Sequence, residues 1–347
     1  MPVRTRTNPG SVLGIDVGGA NLKAATADGR ALSVPFALWR EPKNLAKRLR
    51  EIVRQLQFDR LAITMTGELC DCFATKREGV HAILDSVVRA APKRSVQVWS
   101  TCGRFVTLEE ARAEPLRVAA ANWHALATFA GRFVAQGAGL LVDIGSTTTD
   151  VIPLWEGRPV SKGLTDSGRL AAGELLYTGV RRTPVSALLG QMTVAELGHA
   201  VAAELFATMH DVYLVLGLAR GEPLNCDTAD GRPATRAAAH ARLARMSCHD
   251  VARFSWGRAR RFAREILRYQ RSIVEAAINK VAARLPQSPG TIVLSGIGDS
   301  LAGAALRCLP RGFRVIALRK KLSPAVSAAA CAYALAVLGE EVLSAEC

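Results

Sequence analysis

One short pattern occurs twice in this chain, and it limits the fold more than any other feature. The first copy is Val12-Leu13-Gly14-Ile15-Asp16-Val17-Gly18-Gly19-Ala20-Asn21-Leu22-Lys23. The second is Leu140-Leu141-Val142-Asp143-Ile144-Gly145-Ser146-Thr147-Thr148-Thr149-Asp150. Each is an apolar run that ends in Asp-x-Gly, passes through small or hydroxyl residues and re-enters an apolar run. Each second run then meets a turn, Asp28-Gly29-Arg30 in one and Glu156-Gly157-Arg158 in the other. The spacing predicts two β-hairpins of one design. Tight turns of this kind present backbone N–H groups as an anion nest, and the Asp at the strand end is placed to hold a metal. Two of them point to two related lobes closing on one phosphorylated ligand.

The first lobe is expected over 11–136, with strands near 12–17, 22–28, 31–38, 61–65 and 96–99. Helices are expected near 43–57 and over the Ala-rich 116–136. The second lobe, 137–347, repeats the opening with strands at 139–145, 147–155 and 158–163. A long helical insertion follows over about 193–285, divided by the polar turn Asp227–Pro233. The chain returns to strands at 291–295 and 313–318, with helices over 300–307 and 324–338. This is an α/β pattern with helices on sheets.

A length of 347 residues gives room for two cores, and 49% hydrophobic with 22% charged residues describes a globular protein. No apolar run reaches the roughly 18 residues of a membrane span, and residues 1–10 carry no secretory pattern, so a cytoplasmic location is expected. Eight scattered cysteines, with Cys70-Asp71-Cys72 too tight for a CxxC pair, read as reduced thiols. The net charge of +15 is concentrated between Arg232 and Arg271, where 11 Arg face two acids. Within that stretch Phe262, Ile266, Tyr269, Ile273 and Ala277 form one helical stripe and Arg261, Arg264, Arg268 and Arg271 a neighbouring one. A solvated face accounts for this, with attraction of polyanionic substrates as the alternative. No zinc finger, aromatic RNA-binding signature or helix-turn-helix punctuation supports nucleic-acid binding. A homo-oligomer is compatible with the sequence.

Asp16-Val17-Gly18-Gly19, Asp143–Thr148 and Ser295-Gly296-Ile297-Gly298, in that order, resemble the actin, sugar-kinase and heat-shock ATPase superfamily. The resemblance implies duplicated ribonuclease-H-like domains of actin/hexokinase type around a cleft, with the first two segments as phosphate loops. Met65–Leu69, Lys76–Val80, Ala121-Asn122-Trp123, Thr165–Leu170 and Tyr177–Pro184 resemble its hydantoinase/oxoprolinase-like branch, in the group linked to tetrahydromethanopterin one-carbon transfer. That implies a transferase of methanofuran-type cofactor biosynthesis, joining an aminomethylfuran diphosphate to the phenol of tyramine or a glutamyl-tyramine with release of diphosphate. An ATP-dependent kinase or hydantoinase/oxoprolinase-like enzyme is the alternative on the same fold.

The implied reaction assigns roles to the motifs. Charge growing on the diphosphate must be neutralised. Mg2+ on Asp16 or Asp143 is expected to do so, with Gly18, Gly19, Asn21, Lys23, Gly145, Ser146, Thr147, Thr148 and Thr149 around the phosphates. A phenol near pKa 10 benefits from a base, and Glu68, Asp71, Asp150 and Asp166 are the candidates. Lys76, Arg77 and Arg169 are candidate anion contacts, and Gly296 and Gly298 candidate backbone contacts to the organic part of the substrate. Each has a plain alternative as a turn residue or a surface charge.

Overall fold

The computed structural model describes residues 11–346; the segment 1–10 and Cys347 lie outside the described residues. The two repeats open two mixed sheets. In the first, β1 (Val12–Val17), β2 (Asn21–Thr26), β3 (Ala31–Pro35), β4 (Arg60–Met65), β5 (Ser95–Trp99) and β6 (Phe105–Thr107) lie in the order β3-β2-β1-β4-β5-β6. In the second, β7 (Ala138–Ile144), β8 (Thr149–Trp155), β10 (Leu175–Leu176), β11 (Thr291–Gly296) and β12 (Arg314–Ala317) follow the order β10-β8-β7-β11-β12, with β9 (Arg158–Pro159) on β8.

The registers show how closely the repeats correspond. β1 pairs antiparallel with β2 so that Asp16 faces Lys23, and parallel with β4 so that Asp16 neighbours Thr64. β7 pairs with β8 so that Asp143 faces Asp150, and with β11 so that Asp143 neighbours Ser295. Both turns close alike: Gly18 N–H donates to Asn21 O at 3.1 Å, and Gly145 N–H to Thr148 O at 2.8 Å. β1 and β7, paired on both sides, are apolar almost throughout, as central strands covered on both faces require.

The helices are α1 (Leu45–Val53), α2 (Lys76–Ala90), α3 (Leu108–Ala113), α4 (Asn122–Gly131), α5 (Asp166–Ala172), α6 (Val185–Leu189), α7 (Met209–Leu216), α8 (Arg236–Met246), α9 (Trp256–Ala282), α10 (Asp299–Ala305), α11 (Leu318–Lys321), α12 (Pro324–Ala328) and α13 (Ala330–Glu346). α1 and α2 cover one face of the first sheet and share its core. α4 and α13 lie between the lobes. Ala330, Cys331 and Ala334 pack with Leu141, Ile152 and Val293 of the second sheet, while Leu335 and Leu338 pack with Val12 and Ala62 of the first. The Ala-rich composition of these helices is what lets two sheets approach them closely. α13 thus packs against β1, β2 and β4, although it ends the second half of the chain.

Several expectations need correction. The helix expected over 116–136 is confined to α4, because the preceding Ala120 adopts a left-handed φ of 48° that no helix continues through. The 193–285 insertion is not continuously helical: α7, α8 and α9 are separated by irregular polar segments, one of them the expected turn at 227–233. The helix expected at 324–338 is two, broken at Ala329. The third strand of the second hairpin shrinks from 158–163 to two residues. On α9 the buried stripe runs through Phe262, Ile266, Gln270, Val274 and Ala277, leaving Tyr269 and Ile273 half-buried. A polar Gln at the centre of that stripe hid its direction. Unforeseen was α2, whose Thr75-x-x-Glu78 start carries a cap, with Thr75 Oγ1 accepting from Glu78 N–H at 3.1 Å.

The insertion has its own ionic pin. Arg242 of α8 is fully buried and pairs with Asp211 of α7 at 2.7 Å and with Asp230 at 2.8 Å. The pin fixes the 227–233 turn against both helices.

Candidate functional site

The two Asp-x-Gly turns line a single cleft of about 550 Å³ between the lobes. From the first lobe come Asp16, Gly18, Gly19, Asn21 and Lys23; from the second come Asp143, Gly145, Ser146, Thr147, Thr148 and Asp150. Glu68, Asp71, Asp166 and Arg169 also reach it. Among the sequence candidates, Thr149 turns away: its buried hydroxyl donates to Thr178 O at 2.6 Å and fastens β8 to the next segment. Arg77 is exposed and outside the lining.

Gly296 and Gly298 are also outside the lining, and their small size serves the backbone instead. Gly296 has φ +85°, and a side chain there would run into Asp143 and the Ile144 carbonyl. Ile297 and Gly298 N–H groups both donate to Ile144 O, at 2.9 and 3.2 Å, so this turn props the strand end that carries Asp143.

Lys23 sits between the repeats' acids. Burial disfavours its ammonium, but Asp16, Cys331 and Asp143 together hold its pKa above the usual lysine value. Burial likewise raises Asp16, which is 4% exposed and whose Oδ1 has no hydrogen-bond partner. Asp143 rises to about 6, through burial and the neighbouring Asp150, against a hydrogen bond from Ser295. Six carboxylates line the cleft against three cationic side chains, Lys23, Arg169 and Arg182. An anionic ligand is held beside so many acids only with added positive charge. Among the described residues no three His, Cys, Asp or Glu side chains form a metal cage. The unpartnered Asp16 oxygen and the adjacent Asp143 do suit Mg2+, which usually takes one or two carboxylates and completes its shell with phosphate and water.

Glu68 follows β4 and is 1% exposed, with Oε2 unpartnered and its pKa pushed up by burial to about 7. Lys76 Nζ at the start of α2 lies 4.0 Å from Glu68 Oε1 and 2.5 Å from Asp166 Oδ2, bridging the lobes. Lys76 thus neighbours the cleft through its partners rather than lining it. Arg169 is 2% exposed, pairs with Asp150 and stacks 4.2 Å above the Trp123 ring of α4, a second contact between lobes. Arg182 stacks 4.9 Å from the Trp39 ring, a third. These pairings occupy Asp150 and Asp166 with cations, whereas Glu68 keeps one oxygen free and a pKa near neutrality.

Two groups escaped the sequence reading. Ala120 lines the cleft from its left-handed backbone, a conformation that costs a non-glycine residue of order 1 kcal/mol and often marks functional sites. Gln270 of α9 is fully buried; its Nε2 donates to Thr178 Oγ1 and Gly179 O, both at 2.9 Å, and its Oε1 accepts from Tyr213 OH at 3.1 Å. Gly179 in turn lies so close to the second turn that a Cβ would stand 2.6 Å from Gly145 O. Val180 N–H donates to Gly145 O, and Arg181 and Arg182 N–H groups to Ser146 O. Gln270 therefore braces the second Asp-x-Gly turn from behind. A lone Gln in an amphipathic helix gave no signal of this.

The hydantoinase/oxoprolinase family model matches residues 59–342. The chain is 32% identical over 335 residues to the (4-{4-[2-(gamma-L-glutamylamino)ethyl]phenoxymethyl}furan-2-yl)methanamine synthase of Methanocaldococcus jannaschii, covering 96% of this chain and 98% of that protein. It is 31% identical to the synthase of the same name from Methanococcus vannielii, over 60% of this chain and 93% of that one. Among solved structures, acetone carboxylase in its nucleotide-free form superposes with TM-score 0.55 at 12% identity, covering 94% of this chain and 70% of that one. A glucokinase of the ROK family from Streptomyces griseus superposes with TM-score 0.51 at 14% identity, over 96% and 100%. These likenesses fix the fold as the two-lobed actin/sugar-kinase type. The chain belongs to the hydantoinase/oxoprolinase family.

Proposed function

We propose that the protein is a transferase of methanofuran-type cofactor biosynthesis, which joins an aminomethylfuran diphosphate to a tyramine-type phenol and releases diphosphate. The observation that carries this reading is the match to the M. jannaschii synthase over nearly the whole of both chains. The cleft supplies fitting chemistry. The furan-CH2–O bond breaks with its electron pair leaving on diphosphate, and the ring stabilises the positive carbon. Lys23 and the lining residues Gly19, Ser146, Thr147 and Thr148 surround that growing negative charge, while the Gly18 and Gly145 N–H groups close their own turns. Mg2+, when bound by Asp16 and Asp143, adds the charge neutralisation that the acid-rich lining requires. The phenol oxygen forms the new C–O bond, and its proton passes to Glu68, whose raised pKa lessens the mismatch with a phenol near 10. Arg169 and Lys76 hold Asp150 and Asp166 in ion pairs and so leave the proton transfer to Glu68.

The test is to supply the furan diphosphate, a tyramine-type acceptor and Mg2+ without ATP, and to follow diphosphate and the ether together. Stoichiometric release without nucleotide is expected. ATP hydrolysis obligatorily coupled to product would overturn the reading in favour of the ATP-dependent alternative.

A further inference from the structure

The two repeats carry the same pair of groups at the same register position. On β7 and β11, Asp143 neighbours Ser295, whose hydroxyl donates to the Asp143 carboxylate. On β1 and β4, Asp16 neighbours Thr64. Both pairs join parallel strands, so each acid and its hydroxyl neighbour project to one face of their sheet, about 4.8 Å apart. In the first sheet that face lies under α13, where Val12 and Ala62, even steps back along the two strands, pack against Leu335 and Leu338.

Only the second pair is joined. Thr64 is fully buried and its Oγ1 has no hydrogen-bond partner, and Asp16 Oδ1 has none either. Two complementary atoms thus stand unpaired on adjacent strands, which is costly unless another state of the protein joins them. A carboxylate only accepts, whereas a hydroxyl donates and accepts, so the sole fit is Thr64 donating to Asp16. Ser295 and Asp143 establish that this register brings the two groups within reach, and a change of χ1 rotamer re-aims the Thr64 hydroxyl. Asp16 lines the cleft and Thr64 does not, so Thr64 acts on a ligand only through Asp16.

We propose that Thr64 is a positioning residue: when Mg2+ and diphosphate occupy the cleft, its hydroxyl donates to Asp16 Oδ1 and holds the carboxylate in place for the metal. This rests on the reading of Asp16 as a metal-holding acid in the proposed function. Ligating carboxylates are commonly held by such a donor, and losing it costs about 10- to 100-fold in metal affinity. The test is calorimetric titration of Mg2+ into the protein with inorganic diphosphate present, for the wild type, Thr64→Val and Thr64→Ser. The ligand-free melting temperature is measured for each. Thr64→Val keeps the shape of the side chain and removes the hydroxyl. It should weaken Mg2+ binding by that factor and leave the ligand-free melt unchanged or higher, because the hydroxyl is unpaired there. Thr64→Ser should bind as the wild type does. Unaltered Mg2+ binding by Thr64→Val, equal weakening in both variants, or no Mg2+ binding by the wild type overturns the inference. So does a lower ligand-free melt in Thr64→Val, which would give the hydroxyl a structural bond instead. No furan substrate enters this test, so failure of the ether-forming assay overturns the transferase reading and leaves the inference to be decided by the titration.

Discussion

At the scale of the residue, burial does most of the chemical tuning. Glu68 is placed in a nearly dry position where ionisation is costly, and a backbone hydrogen bond and the Lys76 charge offset this only in part. In the proposed reaction the ionised form accepts the proton, so kcat/KM should rise with pH through about 7 as Glu68 deprotonates. Glu68→Gln should remove the limb near 7 and lower kcat by about 10²–10⁴-fold; a retained limb would assign the base elsewhere. Asp16 has a buried, unpartnered oxygen and packs no core with its carboxylate. Asp16→Asn should therefore abolish turnover and its response to Mg2+ while leaving the thermal melt in place. An unimpaired rate at saturating Mg2+ would count against the metal assignment.

At the scale of the element, α9 links the insertion to the second Asp-x-Gly turn. Its polar centre, Gln270, satisfies Thr178, Gly179 and Tyr213 at once, and a buried donor left without its partner costs about 1–3 kcal/mol. Gln270→Leu should lower stability by about that amount. It should also raise KM for the furan diphosphate, since the Gly145–Thr148 turn loses its brace. Urea unfolding and steady-state kinetics read the two effects separately, and lost stability with unchanged KM would reduce Gln270 to a packing role. The insertion's own pin, Arg242 with Asp211 and Asp230, is a sharper stability test. Arg242→Met strands a buried Asp211 and should cost about 3–5 kcal/mol, measured by the same unfolding.

At the scale of the whole molecule, contacts among the described residues that join the lobes at the cleft include Lys76 with Asp166, Arg169 with Trp123, and Arg182 with Trp39. The first is partly solvated and worth about 1 kcal/mol or less. Lys76→Met should raise KM for both substrates by a few-fold. It should also shift the acid limb to higher pH, because Glu68 loses the one cation that favours its charged form. A limb that stays in place would detach Lys76 from Glu68's titration.

The hairpins, the positions of Asp16 and Asp143 and the glycine turns were legible in the sequence because each depends on neighbours a few residues away, written twice in one chain. Local apolar runs likewise located most strands of both sheets. What the sequence could not hold was every pairing between distant segments. Lys76 meets Asp166 across 90 positions and Gln270 meets Thr178 across 92. The chain's last helix returns to the sheet of its first strand. Such contacts are chosen by which faces must be buried together, and so is Glu68's raised pKa, which arises from burial and not from its neighbours in sequence. Residue order therefore determined the two Asp-x-Gly turns, and the packing of two sheets around α4 and α13 decided that they line one cleft.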